Sequence, residues 1–183
     1  MKKIGLCTHF AQTDDWAFDF ALALARRQGW QLTVCHWLDS PYNLRRDMVY
    51  PSLDQDGEPQ PVTPELLTRL ELELRQAYDP RLGDFTEVAF KLCEGLYQVE
   101  LVRCFRQNLL DLVVMGYRTG GHSASGEQPL EGFAAHLNYP LVIVGPEGPD
   151  RFLLNQAALA WLDDLQLPEG SWRVVESAVS LSH

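Results

Sequence analysis

Residues 4–146 predict an α/β fold: a mainly parallel sheet with helices on both faces. Short apolar runs alternate with stretches of helical period, the pattern of a β-α-β chain. Most of those runs show no polar alternation, as befits strands covered on both sides. One run, 86–93, does alternate, which places it at an edge where one face is partly wet. With 183 residues and 46% of them apolar, the chain suits one such domain with an appendage.

Residues 4–8 form the first strand. Thr13, Asp14 and Asp15 read as a helix start, with a cap and with acids on the positive end of the helix dipole. Trp16, Phe20 and Leu24 follow at helical spacing, beside Ala17 and Ala21, up to Gly29. Residues 32–37 make the second strand. Over 41–64 the composition changes to Pro51, Gly57, Pro59 and Pro61 with no sustained period, a long irregular excursion. Pro64 then opens a helix bearing Leu66, Leu70 and Leu74, with Glu71 and Arg75 paired on its wet side and an end expected near Asp79-Pro80.

In 86–93, Val88, Phe90 and Leu92 alternate with Glu87, Ala89 and Lys91. Val99, Leu101, Val102, Phe105 and Leu109 make the next helix, and 112–115 is a continuous apolar strand that should be central. A glycine-rich loop over 116–132 and a short helix around 133–137 lead to the last apolar strand, Leu141–Val144. The domain is therefore expected over 1–148. The extension, 149–183, carries Leu154, Ala158, Trp161 and Leu165, an amphipathic helix stopped by Pro168 and Gly170, and then a strand-like segment over 172–181.

Lys plus Arg number 15 against 25 Asp plus Glu, a formal charge of −10 that repels phosphate backbones and anionic lipid, so neither nucleic acid nor membrane is an expected partner. Only a short apolar run follows Met1-Lys2-Lys3, and the expected location is cytoplasmic. Cys7, Cys35, Cys93 and Cys104 include no CxxC pair and read as buried thiols. Cys7, His9, Cys35 and His36 could bring ligand types to neighbouring strands. Cys35 and His36 face opposite sides, however, and short metal spacing is absent, so no metal is expected. G-x-S-x-G, G-x-G-x-x-G and the P-loop pattern are all missing, and no catalytic residues are assigned.

The most informative stretch is Asp111-Leu112-Val113-Val114-Met115-Gly116, then Tyr117-Arg118-Thr119-Gly120-Gly121, then Gly132-Phe133-Ala134-Ala135-His136-Leu137, then Tyr139-Pro140-Leu141-Val142-Ile143-Val144. With the opening Lys2-Lys3-Ile4 and with Gly95 before the third helix, it resembles the universal stress protein family over about residues 2 to 146. The resemblance implies a five-stranded parallel sheet of order 3-2-1-4-5 with helices on both faces, Rossmann-like, here with a C-terminal helical extension. It also implies an ATP-holding loop of the form G-x2-G-x9-G-[ST] after the fourth strand. Glycines in such a loop let backbone N–H groups approach phosphates. Here three residues separate Gly116 from Gly120, eleven separate Gly120 from Gly132, and Phe133 stands in place of the hydroxyl residue. His9 stands where the family's nucleotide-binding members usually carry an Asp.

The crevice implied by this resemblance is made of Thr8, His9, Trp37, Gly116, Arg118, Gly120, Gly121, Ser123 and Gly132. Trp37 could stack on a base or pack under the long excursion. Asp14 and Asp15 could supply an acid from the helix start, although capping is their ordinary role. The two departures lead to a non-catalytic regulatory module in stress response with a degenerate nucleotide site and no cofactor. It would form a homodimer through the last sheet strand or the extension and bind a further protein, because Leu141–Val144 lacks the charges that guard a free edge. The alternative is a sensor that binds ATP, AMP or another phosphorylated ligand in the same crevice. Slow phosphohydrolase chemistry would need a metal-holding carboxylate near the loop, for which Glu127 and Glu131 are the local candidates.

Overall fold

The computed structural model describes residues 1–8, 12–37, 49–51, 59–61, 63–93, 97–118 and 130–176. Strand β1 (Lys3–Thr8), helix α1 (Gln12–Gln28) and strand β2 (Gln31–Trp37) follow the expected order. Within the long excursion, β3 (Val49–Pro51) and β4 (Pro59–Pro61) form a small antiparallel pair of their own. Helix α2 (Pro64–Leu82), strand β5 (Val88–Cys93), helix α3 (Tyr97–Arg106), strand β6 (Leu112–Gly116), helix α4 (Leu130–His136) and strand β7 (Leu141–Val144) complete the α/β unit. The extension contributes β8 (Phe152–Leu154), a 3-10 segment (Gln156–Trp161), the single turn α5 (Leu162–Leu165) and β9 (Trp172–Val174).

The main sheet runs β5-β2-β1-β6-β7-β8-β9. Its first five strands are parallel and carry the 3-2-1-4-5 order, with the alternating strand at the edge as expected. Two further strands make seven: β8 runs antiparallel against β7, and β9 runs parallel to β8. The apolar edge of β7 is thus covered by the chain's own extension.

One apolar layer joins Ile4, Leu6, Leu32, Val34 and Val114 to α1 and α2, and the other joins Val113, Met115 and Ile143 to α3 and α4. No helix among the described residues is long and apolar enough to cross a membrane.

Several boundaries differ from the sequence expectation, each for a local reason. Helix α2 is capped by Thr63, whose Oγ1 accepts from Leu66 N at 3.1 Å, but it passes through Pro80 and stops at Gly83, where φ is 61°. Burial of Tyr78 and Leu82 against the sheet holds the last turn in place despite the missing proline N–H. Arg81 adds to this by bonding the carboxylates of Asp15 (2.6 Å) and Asp19 (2.8 Å) while lying over the Phe18 ring. Helix α3 ends at Arg106, so Leu109 falls outside it, and Val99 is 61% exposed. Leu154 belongs to β8, and the expected amphipathic helix is reduced to the 3-10 segment and α5.

The reduction follows from Asn155, which is buried at the junction. Its Oδ1 accepts from Leu141 N and from Ala158 N, both at 3.0 Å, and its Nδ2 donates to Leu137 O (3.2 Å) and Tyr139 O (2.7 Å). One side chain therefore caps the 3-10 segment and satisfies the chain entering β7. Further along, Trp161 meets Trp30 edge to face, and Lys2 Nζ sits over both rings while pairing with Asp164 at 3.4 Å.

Replacing Asn155 with Ala takes this partner from Leu141 N, Leu137 O and Tyr139 O, while Ala158 N keeps the residue 155 carbonyl at 3.1 Å, and is expected to destabilise the fold by about 2–4 kcal/mol. Chemical denaturation of the variant checks this, and an unchanged midpoint would contradict the assignment.

Candidate functional site

Parallel strands direct their carboxyl ends to one edge of the sheet, and the loop after β6 leaves from that edge. Thr8 ends β1, Trp37 ends β2 and Gly116 ends β6, so the first element of the expected crevice is assembled by topology alone. The Trp37 side chain lies outside what is described. His9, Gly120, Gly121 and Ser123 also fall outside the described residues, as does Glu127.

Thr8 is fully buried and engaged by its neighbours. Its hydroxyl shares a hydrogen bond with the Tyr78 phenol, and its carbonyl accepts from His36 Nδ1 at 2.9 Å, which requires the proton on that nitrogen. Burial raises the Tyr78 pKa above the usual phenol range, opposed by the bond to Thr8, so the phenol stays neutral at physiological pH.

Gly116 has a specific steric task. A Cβ placed there would stand 2.5 Å from Thr13 C, 2.6 Å from Thr13 O and 2.7 Å from Asp14 N. The end of β6 and the first turn of α1 are therefore in backbone contact, which only glycine permits. Thr13 strengthens the contact by donating from Oγ1 to Tyr117 O at 3.0 Å. It does so from inside the helix: α1 begins at Gln12, and Thr13, Asp14 and Asp15 do not precede it as a cap.

Asp14 is turned inward and is fully buried, with Oδ2 at 4.0 Å from Nη2 of Arg118, whose side chain retains 24% exposure. Asp15 points the other way, to Arg81. The two acids that look equivalent in sequence are thus separated by 100° of helix, one buried beside Arg118 and the other in a surface ion pair. Asp14 is the residue that a capping interpretation undervalues. Its sequence signal is an acid at the start of the helix that follows β1, which the topology brings beside the cation after β6.

Gly132 and Phe133 belong to the opposite layer. Gly132 lies inside α4, and a Cβ there would meet nothing within 4 Å. Phe133 is buried with Leu130, Ala134 and Leu137, and lines an open groove of about 560 Å³ against Val99, Val102 and Arg103 of α3. Burial raises the Tyr117 phenol pKa first, and the Glu131 carboxylate raises it next.

The structure thus brings together Thr8, Gly116, Asp14 and Arg118, with Tyr78 and His36 behind them. It sets Gly132 and Phe133 on the other face. Among the described residues, no group of three or more His, Cys, Asp or Glu side chains is placed to hold a metal ion.

No family model matches the chain, and no curated protein matches it. Solved structures do. A universal stress protein in complex with cAMP aligns over 79% of this chain and 97% of its own, at 16% identity and a TM-score of 0.50. A protein of the universal stress protein family from Burkholderia pseudomallei aligns over 79% of this chain and 96% of its own, at 24% identity and 0.47. The universal stress protein UspA from Lactobacillus plantarum aligns over 96% and 97%, at 15% and 0.44. The chain shares the α/β fold of the first of these.

The two glycines should respond in opposite ways. Gly116→Ala forces a methyl into the α1 backbone and is expected to cost about 1–3 kcal/mol, whereas Gly132→Ala in an open helical position should be neutral or stabilising by about 0.5–1 kcal/mol. Thermal denaturation of both variants checks this, and a stable Gly116→Ala protein would refute the close approach.

Proposed function

We propose that the chain is a universal stress protein-like, non-catalytic regulatory module of the stress response, acting through self-association and capture of a protein partner, with a nucleotide crevice that no longer holds phosphate. The fold shared with the cAMP-bound universal stress protein supports the placement of the crevice. The observation that carries the reading is the use made of the crevice residues. Gly116 is closed against the α1 backbone, and the position of the family's hydroxyl is taken by a phenylalanine buried on the α4 side.

Self-association is supported by the sheet edges. β8 occupies the edge of β7, so a partner strand would pair with β9, which has one neighbour among the described residues. Phe152 N donates to Ser171 O and Val175 N to Leu154 O, so residues 171, 173 and 175 bond inward, and the N–H groups of Trp172 and Val174 point away from β8.

A sensor for AMP, ATP or cyclic AMP is the competing reading. One observation favours it: Arg118, two residues beyond the end of β6, keeps 24% of its side chain exposed, and a guanidinium is a ready partner for a phosphate.

Calorimetric titration with Mg-ATP, AMP and cyclic AMP, together with mass spectrometry of small molecules released from the purified protein, separates the two. The regulatory module predicts no bound nucleotide and no heat, whereas stoichiometric nucleotide that Arg118→Gln abolishes would establish the sensor. For the association, sedimentation should show a dimer that Val174→Pro converts to monomer, since proline removes an outward N–H and keeps the inward bonds. A wild-type monomer at tens of micromolar would overturn the β9 pairing.

A further inference from the structure

Helix α3 carries two stripes with apolar members where a surface helix needs one. Leu101, Cys104 and Phe105 are buried in the layer that α3 and α4 share with the sheet. On the far side, Val99, Val102, Arg103 and Arg106 recur at the i, i+3, i+4, i+7 spacing that aligns one face over two turns, about 10 Å of helix. Val99 and Arg103 stand in solvent, and Val102 is half-buried. This second stripe and Phe133 of α4 line the groove of about 560 Å³ between the two helices. Both charged groups of its lining are arginines, and the remaining polar ones, Gln98 and Gln107, are neutral.

Arginines in the last turns of a helix stabilise it through the helix dipole. That accounts for Arg103 and Arg106 on a wholly polar face, but not for valines set beside them along a groove floored by phenylalanine. Arg103 is held only by Glu100, at 3.6 Å in an exposed i,i+3 pair that another carboxylate can readily replace. In a chain of formal charge −10, the groove is a cationic rim on an apolar floor. A second copy brings the same negative charge and is repelled as a whole. A groove between two helices presents no strand edge, and its natural filler is a third helix laid about 8–10 Å from its neighbours.

We propose that the α3–α4 groove docks an acidic amphipathic helix of a protein partner. Its apolar face lies on Val99, Val102 and Phe133, and carboxylates along one flank meet the guanidinium groups of Arg103 and Arg106, which bind carboxylate in a fork geometry. This gives the partner of the regulatory reading its chemistry, and it rests on that reading's claim that the chain captures a protein. The groove lies on the α3 and α4 side of the sheet, whereas Asp14 and the first turn of α1 lie on the other, so docking neither uses nor closes the nucleotide crevice.

The test is an anisotropy titration of the full-length chain into a fluorescein-labelled helical peptide of about 15 residues, with leucines at i, i+3, i+4 and i+7 on one face and glutamates flanking them. Binding should saturate in the micromolar range, weaken with added salt, and fall by at least about 10-fold when lysines replace the glutamates. An Arg103→Glu, Arg106→Glu double variant should reverse that preference, and Val99→Glu, at an exposed position, should weaken both peptides. In the wild-type protein, which depends on no variant folding, amide shifts should move over Tyr97–Arg106 and Leu130–His136 and not over Gln12–Gln28. Equal affinity for the two peptides, an unchanged preference in a folded double variant, or shifts confined to other elements would each overturn the groove. So would a dimer that Val99→Glu dissociates in the absence of any peptide binding, which would give the face to a second copy. Absent peptide binding with an empty crevice overturns the groove and leaves the regulatory module standing, whereas stoichiometric nucleotide overturns the module whatever the peptide does.

Discussion

The contact between Gly116 and the first turn of α1 is the constraint on which the rest of the site depends. A parallel sheet delivers the ends of β1 and β6 to the same edge, but how closely the following helix settles there depends on the side chain at the end of β6. With none, α1 comes down until its backbone touches the strand, and Thr13 bonds the carbonyl of Tyr117. That descent carries Asp14 to full burial and presents it to Arg118. A glycine that a motif comparison assigns to phosphate contact is thereby also a packing residue. The same approach places the Asp14 side chain in the interior, 4.0 Å from the Arg118 guanidinium.

The extension solves a different problem. A parallel α/β sheet ending in four fully buried apolar residues, Leu141–Val144, cannot leave that edge open. Here β8 pairs with it, and Asn155 anchors the turn that follows by satisfying the backbone around Leu137, Tyr139 and Leu141. Lys2, held between Trp30 and Trp161 and paired with Asp164, ties the extension back to the start of β1. Any association through strand pairing is consequently displaced from β7 to the outer strand, which changes the relative placement of two subunits without altering the five-stranded core.

Much of the fold was legible because burial imposes periodicity. The uninterrupted runs in β1, β2, β6 and β7 and the alternation in β5 report two-sided and one-sided coverage, and they place the edge strand correctly. Legibility failed where one residue overrides a local preference. Pro80 marks a helix end in isolation, yet Tyr78 and Leu82 reach the core and carry α2 past it. Leu154 fits a helical stripe with Ala158 and Trp161, yet the open edge of β7 recruits it into a strand. Asn155 gave no warning, since an asparagine between apolar residues looks the same whether it satisfies four groups or none.

By itself, the sequence determined the layered α/β architecture, the order of its elements and the departures at His9 and Phe133, because those depend on residue type and spacing along the chain. Only the tertiary structure decided that Asp14 and Asp15 part company, that Gly132 stands in open space while Gly116 is closed upon, and that four scattered cysteines share one layer. These are facts about the direction and distance between groups far apart in sequence. Periodicity states which face a residue is on. Which partner meets it there is set by register and by how closely the layers approach.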